Sequence, residues 1–389
     1  MTDERILIVG GGIGGLAAAN AFSQAGYEVS VFEQAAELRE IGAAIGVQTN
    51  AMKALASFGR DEAVRAEAEQ LEHYEYWSWK GKRLVHWPQG DIGRRLGAPN
   101  VVIHRADLQS ALLDGLEPAM VELGIRCVGY EEDESGVTVR FADGQERRGA
   151  LLIGADGIRS VVRTQMLGET GLRYAGWIAV RGIANLDSPL FPKTYARQYL
   201  GRGRSFGMWR IPGGRTYWVG TYKTDAGGTD GPRGRKQDAL DWFASAPAPV
   251  RELIEDTRED AILRNDINDR KPVERWSTKR VTLLGDAAHA TTPVTGQGGG
   301  QAIEDAAVLR IKLERAHLAD ADTVGEALRA YEQERGPRTA AITNEAWTIS
   351  KMHHWTNPVV VSLRDMSLRF QPEKIWIKRM EERLGSYQY

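Results

Sequence analysis

Apolar runs and stretches of helical periodicity alternate at the start of the chain. Residues 5–10, RILIVG, form a short continuous apolar run that ends in glycine, which is typical of a strand buried on both faces. Residues 14–25 repeat apolar side chains at helical spacing and stop at Gly26, the residue type best suited to a left-handed helix cap. Residues 27–33, YEVSVFE, alternate and predict a second strand. This order predicts a parallel βαβ unit.

A glycine-rich turn joins the first predicted strand to its helix. Gly10, Gly12 and Gly15 have GxGxxG spacing, in which one glycine makes a tight turn, one lets backbone approach a pyrophosphate, and one lets the helix pack on the strand. Glu33 ends the second strand, where a carboxylate can accept both ribose hydroxyls of an adenosine. Gly14 lies in the same turn and is a further predicted cofactor contact. A surface turn is the alternative for the motif alone, and the motif does not distinguish NAD from FAD.

Composition limits the class of protein. A chain of 389 residues exceeds the size at which one core stops growing, so two packed domains are expected. The net charge of -2 gives no electrostatic case for nucleic acid, and small-molecule partners are expected. The single cysteine, Cys127, excludes a disulfide framework and fits a reducing cytoplasm. No segment reads as a signal peptide or as a membrane span, and the histidines show no metal-ligand spacing.

Two later segments repeat the combination of a strand and a polar turn. Residues 150–163, ALLIGADGIRSVVR, place Asp156, Ser160 and Arg163 after an apolar strand. Residues 281–309, VTLLGDAAHATTPVTGQGGGQAIEDAAVL, place Asp286 after another strand and four glycines in five positions before a helical pattern. The acids that follow the glycines lie in the first turns of the helical pattern, which favours a helix start over a flexible linker.

At these motifs the sequence resembles the group A flavoprotein monooxygenases, the single-component FAD-dependent aromatic hydroxylases with a p-hydroxybenzoate-hydroxylase-like fold. Three motifs carry the resemblance in this order, GxGxxG at 10–15, DGxxSxxR at 156–163 and GDAAHxxxP at 285–293, and it covers about residues 1–345. The resemblance implies FAD as cofactor, NADH or NADPH as a transient reductant without a domain of its own, and O2 as co-substrate. It also implies hydroxylation of an aromatic small molecule through a flavin C4a-hydroperoxide.

The resemblance also implies which residues hold FAD. Asp286 is similar to the aspartate that binds the ribityl chain, and the glycine loop is similar to the one under the isoalloxazine, with a helix that starts near Gly299. His289 would serve loop geometry and not proton transfer. Arg105 has a solvated helix-end charge as its alternative, and Asp156, which serves FAD or the nicotinamide cofactor, has a common Asp-Gly turn as its alternative. The remaining positions implied for FAD are Arg39, Gly46, Val128, Pro293, Gly296, Gly298 and Gly299.

The predicted fold class is α/β, mixed with α+β features. A Rossmann-like FAD-binding domain is predicted from residues 1–72, 98–172 and 270–345, an antiparallel-sheet substrate domain from 73–97 and 173–269, and a C-terminal helical segment from 346–389. That last segment is expected to pack across both domains, with a dimer contact or peripheral membrane association as the alternative. Either a monomer or a homodimer is expected.

Alternating segments between residues 176 and 222 predict the sheet above the flavin. Ser205, Gly207 and Trp209 share one face of their strand, and Tyr217 lies in the next, so one of these faces should bind substrate. Core packing is the alternative for each aromatic residue. Tyr217 is a candidate for removing a proton from a phenolic substrate, and Arg181 is a second candidate within an apolar strand. The arginines from 197 to 215 are expected to form a solvated rim.

The substrate class is inferred from positions at which this sequence differs from relatives in the urate- and salicylate-hydroxylase branch of the family. Relatives that hydroxylate urate carry an aspartate after the loop proline and an arginine on the first pocket strand. Val294 and Ser205 stand at the matching positions here, whereas Tyr217 matches the pocket tyrosine. The resemblance therefore implies a neutral, fused-ring or phenolic aromatic substrate, and not urate.

Other activities stay open at this point. Epoxidation or decarboxylating hydroxylation would use the same machinery. Residues 208–212, MWRIP, partly match a halogenase segment, but Gly207 replaces its first tryptophan. A non-enzymatic flavin- or drug-binding protein is the remaining alternative.

Overall fold

The computed structural model describes residues 4–38, 43–186, 191–385 and 387. The strands in chain order are β1 (Ile6–Val9), β2 (Val29–Glu33), β3 (Ala44–Val47), β4 (Ala68–Gln70), β5 (His73–Ser78), β6 (Arg83–Trp87), β7 (Val101–His104), β8 (Val121–Leu123), β9 (Cys127–Asp133), β10 (Gly136–Phe141), β11 (Glu146–Gly149), β12 (Leu151–Gly154), β13 (Arg173–Ala184), β14 (Tyr195–Leu200), β15 (Arg204–Ile211), β16 (Arg215–Lys223), β17 (Leu263–Asp269) and β18 (Val281–Leu283).

The helices in chain order are α1 (Ile13–Gln24), α2 (Thr49–Ala56), α3 (Asp61–Ala66), α4 (Gln89–Leu96), α5 (Arg105–Leu113), α6 (Val161–Leu167), α7 (Arg235–Trp242), α8 (Val250–Asp256), α9 (Asp286–His289), α10 (Gly298–Leu313), α11 (Ala321–His353), α12 (Pro358–Phe370) and α13 (Glu373–Gly385). Short 3-10 turns cover Pro118–Met120, Glu259–Ala261 and Pro293–Thr295. The part of the chain that is described contains no helix with the length and apolar character needed to cross a membrane.

A parallel sheet with the strand order β18-β12-β1-β2-β8 forms the first core. Its central strand is fully apolar, and Ile6 and Ile8 are inaccessible to solvent. Helices α1 and α10 pack together beside this sheet. Because helices cover such a sheet, its strands are continuous apolar runs, and the carboxyl ends of β1, β12 and β18 reach one edge, where all three sequence motifs begin.

A second sheet of seven strands has the order β17-β13-β16-β15-β14-β5-β6. Its neighbouring strands are antiparallel, except that β14 and β5 run parallel. One face carries buried Phe206, Met208 and Trp218, which pack with Phe243 and with residues of α8. The antiparallel sheet expected between residues 176 and 222 is present, although the division into domains at the predicted boundaries stays a prediction.

Two smaller sheets and the C-terminal helices complete the fold. The small sheets have the orders β11-β10-β9 and β3-β7-β4. Helix α11 runs unbroken through position 345, where the FAD-binding segment was predicted to end. Trp376 in α13 meets Trp87 edge to face at 5.7 Å, and the Lys53 ammonium donates to the Tyr387 carbonyl at 2.8 Å, so the C-terminal segment contacts both larger units. Helix α12 exposes an apolar stripe on its outer side, formed by Val359, Leu363, Met366 and Phe370.

The prediction that the arginines from 197 to 215 form a solvated rim is wrong for two of them. Arg210 is only 3% exposed. Arg197 pairs with buried Glu75 at 3.3 Å and lies 4.5 Å above the ring of Trp77. The partners of Arg197 belong to β5, more than a hundred residues earlier in the chain, so the alternation of β14 and β15 could not reveal them.

Candidate active site

The first glycine turn combines two crowded positions with one open position. Gly10 has φ +110°, and a Cβ there would lie 2.4 Å from the Ala155 carbonyl oxygen. A Cβ on Gly15 would lie 1.8 Å from the Gly10 carbonyl oxygen. Gly12, in contrast, has no atom within 4 Å of a Cβ position and precedes α1 without a side-chain cap. The free N–H groups of α1 therefore face open space, as a phosphate site requires.

Backbone amides hold Glu33 at the end of β2. Its Oε2 accepts a hydrogen bond from the Gly11 N–H at 2.7 Å, and its Oε1 accepts one from the Ala35 N–H at 2.8 Å. Each oxygen keeps a lone pair that can accept a hydroxyl group. Gly14 has a packing role, because a Cβ there would lie 2.7 Å from Cδ2 of Leu284, between α1 and β18.

The second motif caps a helix and reaches the third motif. Asp156 Oδ2 accepts from the Val161 N–H at 2.7 Å, and Ser160 Oγ accepts from the Arg163 N–H at 2.8 Å, so both residues cap α6. Arg163 Nη1 donates to the carbonyl oxygens of Ala287 and Ala288 in α9 at 2.8 and 3.0 Å. Burial raises the pKa of the Asp156 carboxyl group, although its hydrogen bonds act to lower it. Its Oδ1 is buried without a partner among the described residues, whereas the neighbouring Ala155 and Gly157 border the cavity.

Asp286 opens α9 after Gly285, which has φ +63°. The Asp286 side chain is accessible and borders the neighbouring cavity. Desolvation raises the pKa of this carboxyl group, while the charges of His289 and Arg105 act to lower it. A partly desolvated acceptor in this position suits a sugar-alcohol hydroxyl.

A buried ion-pair network lies behind this turn, and the sequence analysis missed it. Asp305 Oδ2 accepts from the Gly285 N–H at 2.9 Å and lies 2.6 Å from His289 Nε2, while Oδ1 accepts from Arg335 Nε at 2.6 Å. Burial would raise the pKa of Asp305, but the charges of His289 and Arg335 lower it to about 2. Glu304 pairs with Arg335 and Arg338 in the same network.

Glu304 and Asp305, the acids that favoured a helix start, lie just beyond the first turn of α10. Helix α10 begins at Gly298 and has no acidic residue in its first turn. Glu304 and Asp305 are both inaccessible to solvent, and their counter-charges come from α11. Two consecutive acids among apolar helix positions, followed later by ERGPR, are the signal that could have indicated the network.

The glycine loop before α10 has one open position and one crowded position. Gly296 adopts φ +64°. A Cβ on Gly298 would have its nearest neighbour 3.7 Å away, whereas a Cβ on Gly299 would lie 2.7 Å from Cδ1 of Ile45. The helix starts without a side-chain cap, and Gln297 instead donates to Gln48 Oε1 at 2.6 Å. Free N–H groups therefore remain at this end of α10.

Only some of the other residues predicted to hold FAD border the cavity. Gly46, Arg105 and Pro293 border the cavity, whereas Val128 is 49% exposed on β9. Arg39 lies outside the described residues.

One cavity of about 1240 Å³ joins the motif edge of the parallel sheet to the open face of the seven-stranded sheet. Typical sites for a single ligand have about 300 to 1,000 Å³. The cavity therefore has room for a dinucleotide and a second, smaller molecule.

The sheet side of the cavity carries aromatic residues together with the charged side chain of Arg181. Ser205, Trp209 and Tyr217 border it, and the rings of Trp209 and Tyr217 lie 4.8 Å apart. Val294 packs against the apolar cluster that contains Trp177. Gly207 is buried beneath this face.

Arg181 and Tyr217 lie on neighbouring strands of this wall. Burial raises the pKa of Tyr217, although the charge and hydrogen bond of Arg181 act to lower it. Arg181 Nη2 also donates to Asn265 Oδ1 at 2.8 Å. A tyrosine whose pKa is raised keeps its proton at neutral pH, so it suits hydrogen bonding better than proton removal.

These features are typical of a dinucleotide-binding protein whose cavity extends to a second sheet, and comparisons with known proteins extend that assignment. A family model described as FAD binding domain matches residues 3–346. Aurachin C monooxygenase/isomerase of Stigmatella aurantiaca is 37% identical over 368 residues, 95% of this chain and 94% of that protein. The 3-amino-4-hydroxybenzoate 2-monooxygenase of Streptomyces cremeus is 34% identical over 371 residues, 94% of this chain and 92% of that protein.

A solved structure gives the same result. Klebsiella pneumoniae HpxO, complexed with FAD and uric acid, has a TM-score of 0.92 at 31% identity, over 98% of this chain and 97% of that one. The chain belongs to the group A FAD-dependent aromatic monooxygenases. The predicted family, fold class and FAD dependence are thereby confirmed.

Proposed function

We propose that this protein hydroxylates a neutral, fused-ring or phenolic aromatic compound with NADH or NADPH and O2. The observation that carries the proposal is that two positions of the cavity wall, Val294 and Ser205, carry no charge. Val294 lies in an apolar cluster with Trp177 and Ala179, and Ser205 is engaged by neutral partners. These two positions supply no charge, so they desolvate a neutral ring at little cost and give an anion no counter-charge of their own.

The residues of this chain fit FAD. Gly12 and the uncapped start of α1 offer N–H groups and open space for a pyrophosphate, and Glu33 offers acceptor oxygens to a ribose. Asp286 and the open position at Gly298 would serve the ribityl chain and the ring. When bound, FAD supplies hydride acceptance from the nicotinamide cofactor and the activation of O2.

The protein would contribute orientation and exclusion of water. The rings of Trp209 and Tyr217 offer flat surfaces to an aromatic substrate, and Trp209 Nε1 is a buried donor without a partner among the described residues. Tyr217 and Arg181 would position a polar substituent. A dry site keeps oxygen transfer directed at the substrate, since water in the site favours wasteful release of peroxide.

Several finer points belong to the same proposal. NADH or NADPH would bind transiently, because the sequence has no second GxGxxG motif. The protein would act in the cytoplasm as a monomer or homodimer, with residues 73–97 and 173–269 as the substrate domain. The single cysteine suits a reducing compartment.

The test is a screen of aromatic compounds with the FAD-loaded protein. Neutral fused-ring or phenolic compounds should accelerate flavin reduction by NADH or NADPH, consume O2 and give a product with one added oxygen atom by mass spectrometry. Urate serves as the anionic comparison and should be a poor substrate. Failure of both nicotinamide cofactors to reduce the flavin in the presence of every compound would contradict the proposal.

A further inference from the structure

A chain of hydrogen bonds runs from a buried histidine to the cavity wall. His354 Nδ1 lies 2.8 Å from the Ser350 carbonyl oxygen, and its Nε2 lies 2.8 Å from Thr221 Oγ1. Its ring stacks on Trp177 at 4.6 Å. Desolvation lowers the pKa of His354 to about 4, so the ring is neutral at neutral pH. Because a carbonyl oxygen only accepts, Nδ1 carries the proton and Nε2 is an acceptor.

This tautomer fixes the direction of every bond that follows. The Thr221 hydroxyl must donate its only proton to His354 Nε2, so it cannot donate to any other group. Ser205 Oγ lies 2.7 Å from Thr221 Oγ1 and must therefore donate to it. The Ser205 oxygen is then left to accept from Gln198 Nε2 at 2.9 Å. A flipped Gln198 amide would set its oxygen against a hydroxyl whose proton is already in use.

Gly207 leaves free the space that the side-chain oxygen of Gln198 occupies. The two residues are paired across β14 and β15, and a Cβ on Gly207 would lie 2.5 Å from Gln198 Oε1. Gln198 borders the cavity, and among the described residues no group donates a hydrogen bond to its Oε1. The substrate side of the chain therefore ends in an acceptor whose orientation is determined from within the protein.

We propose that Gln198 is a specificity-determining residue, whose fixed Oε1 selects aromatic substrates that carry an N–H or O–H donor over those alkylated at the same atom. Thr221 and His354 are positioning residues that act through Gln198. The proposal rests on the proposed function of this site and defines its substrate class further.

Two pairs of probes test the selection directly. Indole and 1-methylindole, and 2-naphthol and 2-methoxynaphthalene, differ within each pair by a methyl group that replaces the donor hydrogen. Their dissociation constants for the FAD-loaded protein are measured from the change in flavin absorbance. The donor compound of each pair should bind about three- to tenfold more tightly, which is the range for one net hydrogen bond.

Variants separate the acceptor from the shape of the pocket. Gln198→Leu should remove the preference while keeping the affinity for 1-methylindole. Gly207→Ala should weaken the preference, because the new methyl group displaces the amide oxygen. Thr221→Val should weaken it by freeing the amide to flip, and Thr221→Ser, which keeps the hydroxyl, should restore it.

Three results would overturn the inference. They are equal or reversed affinities within both pairs, a preference that survives Gln198→Leu, and no change of the flavin spectrum with any probe. Flavin reduction and O2 uptake are measured on the same preparations. Loss of those activities in the unmodified protein would count against the proposed function, whereas intact activity without the binding preference would remove this inference alone.

Discussion

His289 Nε2 lies 2.6 Å from Asp305 Oδ2 in the interior, with both side chains nearly inaccessible to solvent. The same carboxylate oxygen accepts from the Gly285 N–H at 2.9 Å. This contact joins the start of the aspartate turn to the glycine helix, so the two segments predicted to face FAD share one support. Its loss should affect both folding and the site.

We expect Asp305→Asn to destabilise the protein by about 3–5 kcal/mol, the range for removing one partner from a buried ion pair. The reason is that Arg335 would lose one of its two buried carboxylates. Urea denaturation and FAD retention on gel filtration measure the two effects. Asp322→Asn is the control, because that exposed residue should change stability by about 0.5 kcal/mol or less. Equal stability of the Asp305 and Asp322 variants would refute the structural role.

The glycines of the first turn should separate folding from FAD binding. Gly12→Ala should leave apo-protein stability within about 0.5 kcal/mol, since a Cβ there has open space and φ is -75°. The methyl group would intrude on the pyrophosphate position, so we expect FAD affinity to fall about tenfold or more.

Gly15→Ala is the matched comparison. Its Cβ would lie 1.8 Å from a backbone oxygen, so the apo-protein should lose at least about 1–3 kcal/mol. Denaturation of both apo variants and titration with FAD measure these changes. A Gly12→Ala variant that binds FAD normally would exclude the predicted phosphate contact.

Folding should weaken in mild acid because two adjacent histidines are buried as neutral groups. Desolvation lowers the pKa of His353 to about 3 and that of His354 to about 4, from the ordinary value of 6.5. Below pH 6.5 the unfolded chain takes up protons that the folded protein does not, until the pH approaches 4. Stability should fall over that window, by up to about 1.4 kcal/mol per pH unit for each histidine.

His353→Phe tests this dependence without touching the hydrogen-bonded chain of His354. Among the described residues His353 Nε2 is buried without a partner, so its removal should cost little at neutral pH. Denaturation at several pH values should give a slope shallower by about one proton. An unchanged slope would mean that His353 does not resist protonation in the folded state.

The sequence predicted the features that depend only on residues close together in the chain. The strand, turn and helix at Gly10, the DGxxSxxR cap and the Asp286 turn each lie within a few residues, and each uses backbone chemistry that glycine or a capping residue reveals. The antiparallel sheet was also predictable, because alternation specifies which residues share a face. Sequence reasoning could not choose which face meets the cavity.

Partners that are distant in the chain could not be read from the sequence. Asp305 finds Arg335 on the next helix, and Ser205 is joined to His354 through Thr221. Adjacent His353 and His354 gave no ligand spacing, yet both are buried beside the seven-stranded sheet. Such contacts depend on how α11 packs, and no local periodicity reports that packing.

The raised pKa of Tyr217 predicts a binding role in place of the base role suggested by the sequence. Burial disfavours the phenolate despite the nearby Arg181. Tyr217→Phe should therefore raise KM about two- to tenfold, the value of one hydrogen bond, with kcat and the pH profile nearly unchanged. Steady-state kinetics on a phenolic substrate found in the screen measures these parameters.

A general base would behave differently. Its removal should lower kcat by about 10²- to 10⁴-fold and abolish the limb of the pH profile that reports its ionisation. Tyr222→Phe is the matched control. Tyr222 lies in β16 like Tyr217, but its ring stacks on that of Trp242 at a centroid distance of 5.3 Å. If Tyr217→Phe lost that limb while Tyr222→Phe kept it, Tyr217 would be the base and the arginine beside it would stabilise the phenolate.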